Sequence, residues 1–184
     1  VGCLQCSKME IYQPAEDSFF LSEIIEKEIM KLSDKKKDIK VLEIGCGSGG
    51  QLQTMKKRGI KKENIFSCDI NPKAIKHCKK LRFNSIKSDL FEKIKDKYDL
   101  IIFNPPYLPS NKFDKGKDTT GGKKGSEIIN RFLKQSKSHL EKTGKIFLLT
   151  SSFTKGIKWN NYGKKLLGKK KLFFEELRVW ELKL

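Results

Sequence analysis

Asn104-Pro105-Pro106-Tyr107 closes the apolar run Tyr98-Asp99-Leu100-Ile101-Ile102-Phe103, and these four residue types suit one task, the holding of a planar nitrogen. An amide or aryl-amine nitrogen is a poor nucleophile because its lone pair is delocalised. The Asn104 side-chain oxygen and the Pro105 carbonyl can each accept one N–H, which favours pyramidalisation and stabilises the positive charge that develops as the nitrogen reacts. The prolines fix φ and bias the residue before each toward extended geometry, so these acceptors are preorganised. Tyr107 can stack on a flat amide or base. Such catalysis rests on positioning and needs no strong general base. The plain structural reading of Pro105, Pro106 and Tyr107 is a proline-ended strand followed by an aromatic core residue.

A second segment, Val41-Leu42-Glu43-Ile44-Gly45-Cys46-Gly47-Ser48-Gly49-Gly50, reads as a strand running into a ligand loop. Gly45, Gly47 and Gly49 can take positive φ and let backbone approach a ligand closely. Their G-x-G-x-G spacing differs from the G-x-G-x-x-G of dinucleotide binders, so no pyrophosphate is implied. Glu43 places a carboxylate where a zwitterionic, sulfonium-bearing amino acid would lie. Asp69, at the end of the next apolar run, is placed to accept from both ribose hydroxyls. In Ser88-Asp89-Leu90, Asp89 would accept from an adenine amine while Leu90 packs on the ring. A tight structural turn and ordinary strand ends are the bland alternative. Taken together, the two segments point to S-adenosylmethionine and methyl transfer to an amide or exocyclic amine.

These side chains need a frame. Residues 15–32 carry Phe20, Leu21, Ile24, Ile25, Ile29 and Leu32 at helical spacing. Strands are expected over 40–44, 64–69, 84–88, 98–103 and 145–150. Helices are expected over 51–58, ended by Gly59, over 73–81, with Asn71 as cap and Pro72 at the first position, and from Ser126 as cap to about 140. Residues 173–183 are β-rich and close the sheet. Such alternation predicts an α/β fold, a mostly parallel central sheet with helices on both faces. Ligands in such sheets lie beyond the carboxyl ends of the strands, where the glycine loop falls. A polar loop with four glycines between Leu108 and Gly125 has the length at which loops are functional or mobile.

The 184 residues fit a single domain, 1–184, in which Val1 to Lys8 reads as a frayed extension. Apolar content of 37% and mean hydropathy of −0.55 fit a globular protein. No apolar run approaches the ~20 residues of a membrane span, and no signal peptide is read at the start, so the expected location is the cytoplasm. The net charge of +18 comes from lysine clusters at 35–37, 56–62, 112–124 and 164–171. A basic surface would serve a substrate that works on the ribosome or on RNA. The clusters form no single stripe interleaved with aromatics, which reads instead as well-solvated faces. Cys3, Cys6, Cys46, Cys68 and Cys78 give no disulfide framework. Cys3-Leu4-Gln5-Cys6 has half the spacing of a zinc site, with no second pair, and His77 and His139 sit near no other ligand types. No metal is expected, and Cys46 and Cys68 read as small buried residues.

Glu43-Ile44-Gly45-Cys46-Gly47-Ser48-Gly49 with Asn104-Pro105-Pro106-Tyr107 resembles the Rossmann-like class I methyltransferases that methylate amino groups. Tyr12-Gln13-Pro14-Ala15-Glu16-Asp17-Ser18, the Leu108-Pro109 extension of the proline motif and residues 121–132 narrow this to the HemK-related methylases of archaea and eukaryotes. The resemblance runs from about residue 10 to the end. It implies methylation of the glutamine amide in the Gly-Gly-Gln motif of class I translation release factors. It implies that Ser18, Glu43, Gly45, Gly47, Asp69, Asp89, Leu90 and Asn104 bind S-adenosylmethionine, and that Asn104, Pro105, Pro106 and Tyr107 bind the substrate amide. Ser18 stands where the family usually has Thr, and Tyr12, Pro14 and Asp17 would form a lid. Asp17 is equally a helix N-terminal charge. A small zinc-binding activator would pair with the sheet edge near 83–88. The stretch from Phe153 to Lys171 departs from the family, which usually has a helix and another strand there, so an abbreviated last unit is expected. The rival functions are adenine-N6 methylation of nucleic acid, which uses the same chemistry on a flipped base, another protein or small-molecule acceptor, and a non-catalytic factor with basic flanks for ribosomal RNA.

Overall fold

The computed structural model describes residues 10–109 and 122–184. The expectations for residues 1–8, Cys3 and Cys6, and for most of the glycine-bearing loop and of the lysine cluster at 112–124, lie outside the described residues. Among the described residues run four α-helices, α1 (Glu16–Met30), α2 (Gly50–Lys57), α3 (Pro72–Lys80) and α4 (Glu127–Gln135). The strands are β1 (Val41–Ile44), β2 (Ile65–Asp69), β3 (Asn84–Lys87), β4 (Tyr98–Phe103), β5 (Leu140–Ser151), β6 (Gly163–Leu172) and β7 (Glu175–Lys183). They form one sheet in the order β3-β2-β1-β4-β5-β7-β6. The first five are parallel, and β7 lies antiparallel between β5 and β6.

Successive strand residues point to opposite faces, and each face buries its own core. Val41, Leu100, Ile102, Phe147 and Leu149 meet α1, α2 and α3 through Leu21, Ile25, Leu52, Met55 and Ile75. Leu42, Ile44, Ile101, Phe103, Ile146 and Leu148 meet Ile129, Phe132 and Leu133 of α4. The result is a three-layer Rossmann-like α/β sandwich. No helix among the described residues is long and apolar enough to cross a membrane.

Local chemistry sets the element ends. Asn71 caps α3, its side chain accepting from the Lys73 N–H at 2.9 Å with Pro72 at the first position. Ser126 does not cap α4 as expected. Its side chain makes no cap bond, and the Glu127 carboxylate instead takes the N–H groups of Lys124 and Ser126. The helix then tightens into a 3₁₀ turn over Ser136–His139, and β5 begins at Leu140, earlier than apolarity indicated, across a register break.

The last unit is abbreviated as expected, by its helix and not by its strand: among the described residues no helix lies between β5 and β6, while the stretch holds the ten-residue β6. Its alternation is hidden because it is an edge strand, largely solvated and rich in lysine. Gly168 lets it lie close to α1, since a Cβ there would sit 2.7 Å from Ile24 Cδ1. The lead-in before α1 is tied across the sheet by Asn71 Nδ2, which donates to the Glu10 carbonyl at 3.0 Å.

Candidate active site

The carboxyl ends of β1, β2, β3 and β4 open into one cavity of about 750 Å³, roofed by residues that precede and begin α1. Every residue assigned to the site from sequence lines it: Ser18, Glu43, Gly45, Gly47, Asp69, Asp89, Leu90, Asn104, Pro105, Pro106 and Tyr107. Tyr12, Pro14 and Asp17 line it as well.

The glycine loop is anchored from below and across. Gly45 and Cys46 donate to the Cys68 carbonyl at 2.8 and 3.2 Å. The Asp69 carboxylate accepts from the Gly47 N–H at 2.9 Å and the Asn71 N–H at 2.8 Å. Asp69 therefore shapes the loop, a duty its expected contact with ribose did not include. Gly45 and Gly47 have φ of +70° and +47°, which glycine adopts without strain. Cys46 and Cys78 are buried with their sulfurs 3.5 Å apart under this loop.

Two polar atoms in the cavity wall are buried with no protein partner, Glu43 Oε2 and Asn104 Oδ1. Burial first, then the neighbouring Cys46 and Asp69, push the Glu43 carboxyl well above its ordinary range. An unpartnered buried acceptor is costly, and such atoms mark places where a ligand belongs. The cavity is acidic within a basic protein. Glu10, Asp17, Glu43, Asp69 and Asp89 line it against Lys57, the one cation among its described lining residues. Such a wall suits a cationic ligand.

Asn104 is oriented by a contact that sequence did not disclose. Its Nδ2 donates to Asp17 Oδ2 at 3.0 Å. A carboxylate only accepts, so this bond fixes which way the amide faces, with Nδ2 on Asp17 and Oδ1 on the opposite side without a protein partner. Asp17 is itself held, with Oδ1 accepting from Tyr12 Oη at 3.0 Å and the Ser18 N–H at 2.7 Å. Gln51 braces the same turn by donating to the Ser18 carbonyl at 2.9 Å. Tyr12 and Tyr107 have phenol pKa values raised by burial first and then by Asp17, with Glu175 adding to both. Both remain protonated donors.

Three further residues escaped the sequence reading. Arg131 of α4 pairs with Asp89, so the residue expected to meet an adenine amine also holds a guanidinium. Glu175, at the start of β7, carries a buried oxygen without a protein partner. Thr154 donates to the Tyr107 carbonyl at 3.0 Å. Gly125 completes that support, with φ of +77° and a Cβ position only 2.3 Å from the Tyr107 carbonyl oxygen. Gly125→Ala is expected to lower stability by about 2–4 kcal/mol, the joint cost of a left-handed alanine and overpacking. Urea unfolding would show it as a lower midpoint at unchanged slope. A midpoint equal to the parent's would mean that the turn shifts without cost.

The model of the methyltransferase small domain family matches residues 22–169. A Methanocaldococcus jannaschii protein provisionally named a protein N5-glutamine methyltransferase is 40% identical, covering 94% of this chain and 93% of its own. The eRF1 methyltransferase catalytic subunit mtq2 of Schizosaccharomyces pombe is 29% identical over 76% of this chain and 72% of its own. Among solved structures, a chain of the E. cuniculi Mtq2–Trm112 complex, described as responsible for methylation of the eRF1 translation termination factor, superposes with a TM-score of 0.75. It is 25% identical and covers 95% of this chain and 99% of its own.

Proposed function

We propose, from the premise that this chain belongs to the methyltransferase small domain family and to its HemK-related members, that it methylates the glutamine side-chain amide in the Gly-Gly-Gln motif of a class I translation release factor. It is an S-adenosylmethionine-dependent methyltransferase. The observation that carries the amide-directed reading is Asn104 Oδ1, buried and unpartnered on a residue that lines the cavity and is held in orientation by Asp17. The names of the relatives favour glutamine as the bearer of that amide.

The residues present fit S-adenosylmethionine. Glu43 and the acidic wall suit its positive charge, Asp69 its ribose, and Asp89 with Leu90 its adenine, while Gly45 and Gly47 allow close backbone approach. When bound, the cofactor supplies a methyl group on a sulfonium. The chain then has to present a nitrogen in line with that group. Asn104 Oδ1 and the Pro105 carbonyl accept the two amide N–H groups, drawing the nitrogen out of conjugation and bearing part of its developing charge. Tyr107 covers the flat amide, and Ser18 and Tyr12 close the roof above. The proton left on the alkylated nitrogen is acidic enough to leave to water.

A small activator subunit is proposed at β3, zinc-binding by family resemblance. This strand has one lateral neighbour, and Ile86 and Ile70 are 41% and 56% exposed near it, an open ladder that a partner strand would complete. A cytoplasmic location belongs to the same reading, since the acceptor works in translation.

The test is transfer of labelled methyl to a class I release factor, to its Gly-Gly-Gln→Gly-Gly-Ala variant, and to a DNA and RNA mixture, each with and without the activator. Label on the intact factor alone is the expected result. Label on nucleic acid with none on the factor would overturn the glutamine assignment in favour of an exocyclic amine.

A further inference from the structure

The fold gathers a charge that the sequence spreads out. In the β6–β7 hairpin, Lys164 lies opposite Leu182, Leu166 opposite Trp180, Lys169 opposite Arg178 and Lys171 opposite Glu176. Trp180 and Leu182 belong to the core on the α4 side, and Leu177 and Val179 to the other, so alternation puts all four pairs on the α4 side. This face of the hairpin presents four cations, Lys164, Lys169, Lys171 and Arg178, against the carboxylate of Glu176. Arg178 and Lys169 already hold that carboxylate, at 2.8 and 3.9 Å.

Aromatic rings are interleaved with these cations, contrary to the expectation of solvated faces. The Lys164 ammonium stands 4.6 Å from the Trp159 ring centre and 5.9 Å from that of Trp180, and the two indoles meet edge to face at 5.4 Å. A second cavity, about 290 Å³, lies between these indoles and Arg178. Its wall includes Thr154, whose hydroxyl holds the Tyr107 carbonyl, so the face adjoins the active site. At the hairpin tip, Phe173 and Phe174 are 96% and 94% exposed. Two adjacent solvated phenyl rings mark a binding surface.

We propose that this face binds a single-stranded nucleic-acid segment, with phosphates along the lysine row and unpaired bases stacked on Phe173 and Phe174. Lys164 to Lys171 span roughly 23 Å at about 3.3 Å per residue, a track that suits several successive phosphates. A membrane would engage the tip alone, and an acidic peptide would leave the two rings unused. Cationic tracks with stacking aromatics are the general means of holding single strands without sequence preference.

The experiment is fluorescence anisotropy of a labelled oligouridylate and an oligodeoxythymidylate. A duplex of equal length, polyglutamate and phosphatidylserine vesicles compete in parallel. Lys164→Ala/Lys169→Ala/Lys171→Ala is expected to weaken single-strand binding at least about tenfold. It should also flatten the slope of log K against log salt by about 2, near 0.7 for each phosphate that the variant no longer neutralises. Phe173→Ser/Phe174→Ser is expected to weaken it about tenfold with the slope unchanged. Both variants should bind S-adenosylhomocysteine as the parent does, which shows that the fold is intact. Parent-like strand affinity in both variants would overturn the proposal, as would preference for duplex, polyglutamate or vesicles. So would loss of release-factor binding in the variants with strand binding retained.

Discussion

Replacing Asn104 by alanine is expected to lower kcat for methyl transfer by about 10²–10³-fold, the scale seen when a preorganised transition-state partner is removed. Cofactor affinity should change far less, because Glu43, Asp69 and the glycine loop stay in place. The reasoning starts from an oxygen with nothing to accept. Asn104 Oδ1 is buried without a protein partner, and the amide cannot rotate to relieve this, because the alternative orientation would set its oxygen against Asp17. An incoming N–H would therefore meet an acceptor already desolvated and held in one orientation. Asp17→Asn is expected to weaken kcat as well, by about tenfold, since an amide in that place can partner either orientation of Asn104 and no longer selects one. Single-turnover transfer with cofactor in excess separates this from binding. Equal losses in cofactor affinity and in transfer would show that Asn104 acts by holding the cofactor alone.

Glu43→Gln is expected to stabilise the empty enzyme while weakening cofactor binding. Burial raises the Glu43 carboxyl well above its ordinary value of 4.5. A group raised on folding contributes stability that is complete below its unfolded-state value and is lost as pH rises from there through the folded value. At pH 8 the wild-type protein has lost more of this contribution than at pH 5.5. Glutamine does not ionise and escapes the loss, so Tm should rise by roughly 3–6 °C at pH 8 and by less at pH 5.5. A cationic ligand meanwhile loses its buried anionic partner, and affinity should fall by about 10–100-fold. Thermal scans at the two pH values, with calorimetric titration of the cofactor, measure both sides. A gain in Tm equal at both pH values would show that the carboxylate charge is not its cause.

The fold was legible where apolarity and backbone chemistry agreed. Leu100 to Phe103 is apolar throughout because this part of β4 is buried on both faces, and Asn71 with Pro72 marks a helix start by rules that act within three residues. The site residues could be read because a parallel sheet delivers the ends of consecutive strands to one edge. What stayed hidden was either solvated or distant. The periodicity of β6 is masked because lysines occupy both of its faces. Asp17 reads locally as an N-terminal helix charge, and nothing beside it in the chain announces Asn104. Arg131 and Glu175 lack a local signal for the same reason, and the short-range cap rule failed at Ser126, whose side chain makes no cap bond while the Glu127 carboxylate turns back to the N–H groups of Lys124 and Ser126.

The bond between Asp17 and Asn104 joins positions 87 residues apart, and this bears on how the chain acquires activity. Contacts of long sequence separation close large loops and form slowly, whereas α3 with its cap and the β6–β7 hairpin form from near neighbours. A refolding chain therefore regains most of its helical signal before the first helix has docked over the end of β4. Until that docking, Asn104 has no fixed orientation and Glu43 no closed cavity around it. Catalytic competence is a late event on the folding pathway, and recovered methyl transfer should lag behind recovered circular dichroism after dilution from denaturant.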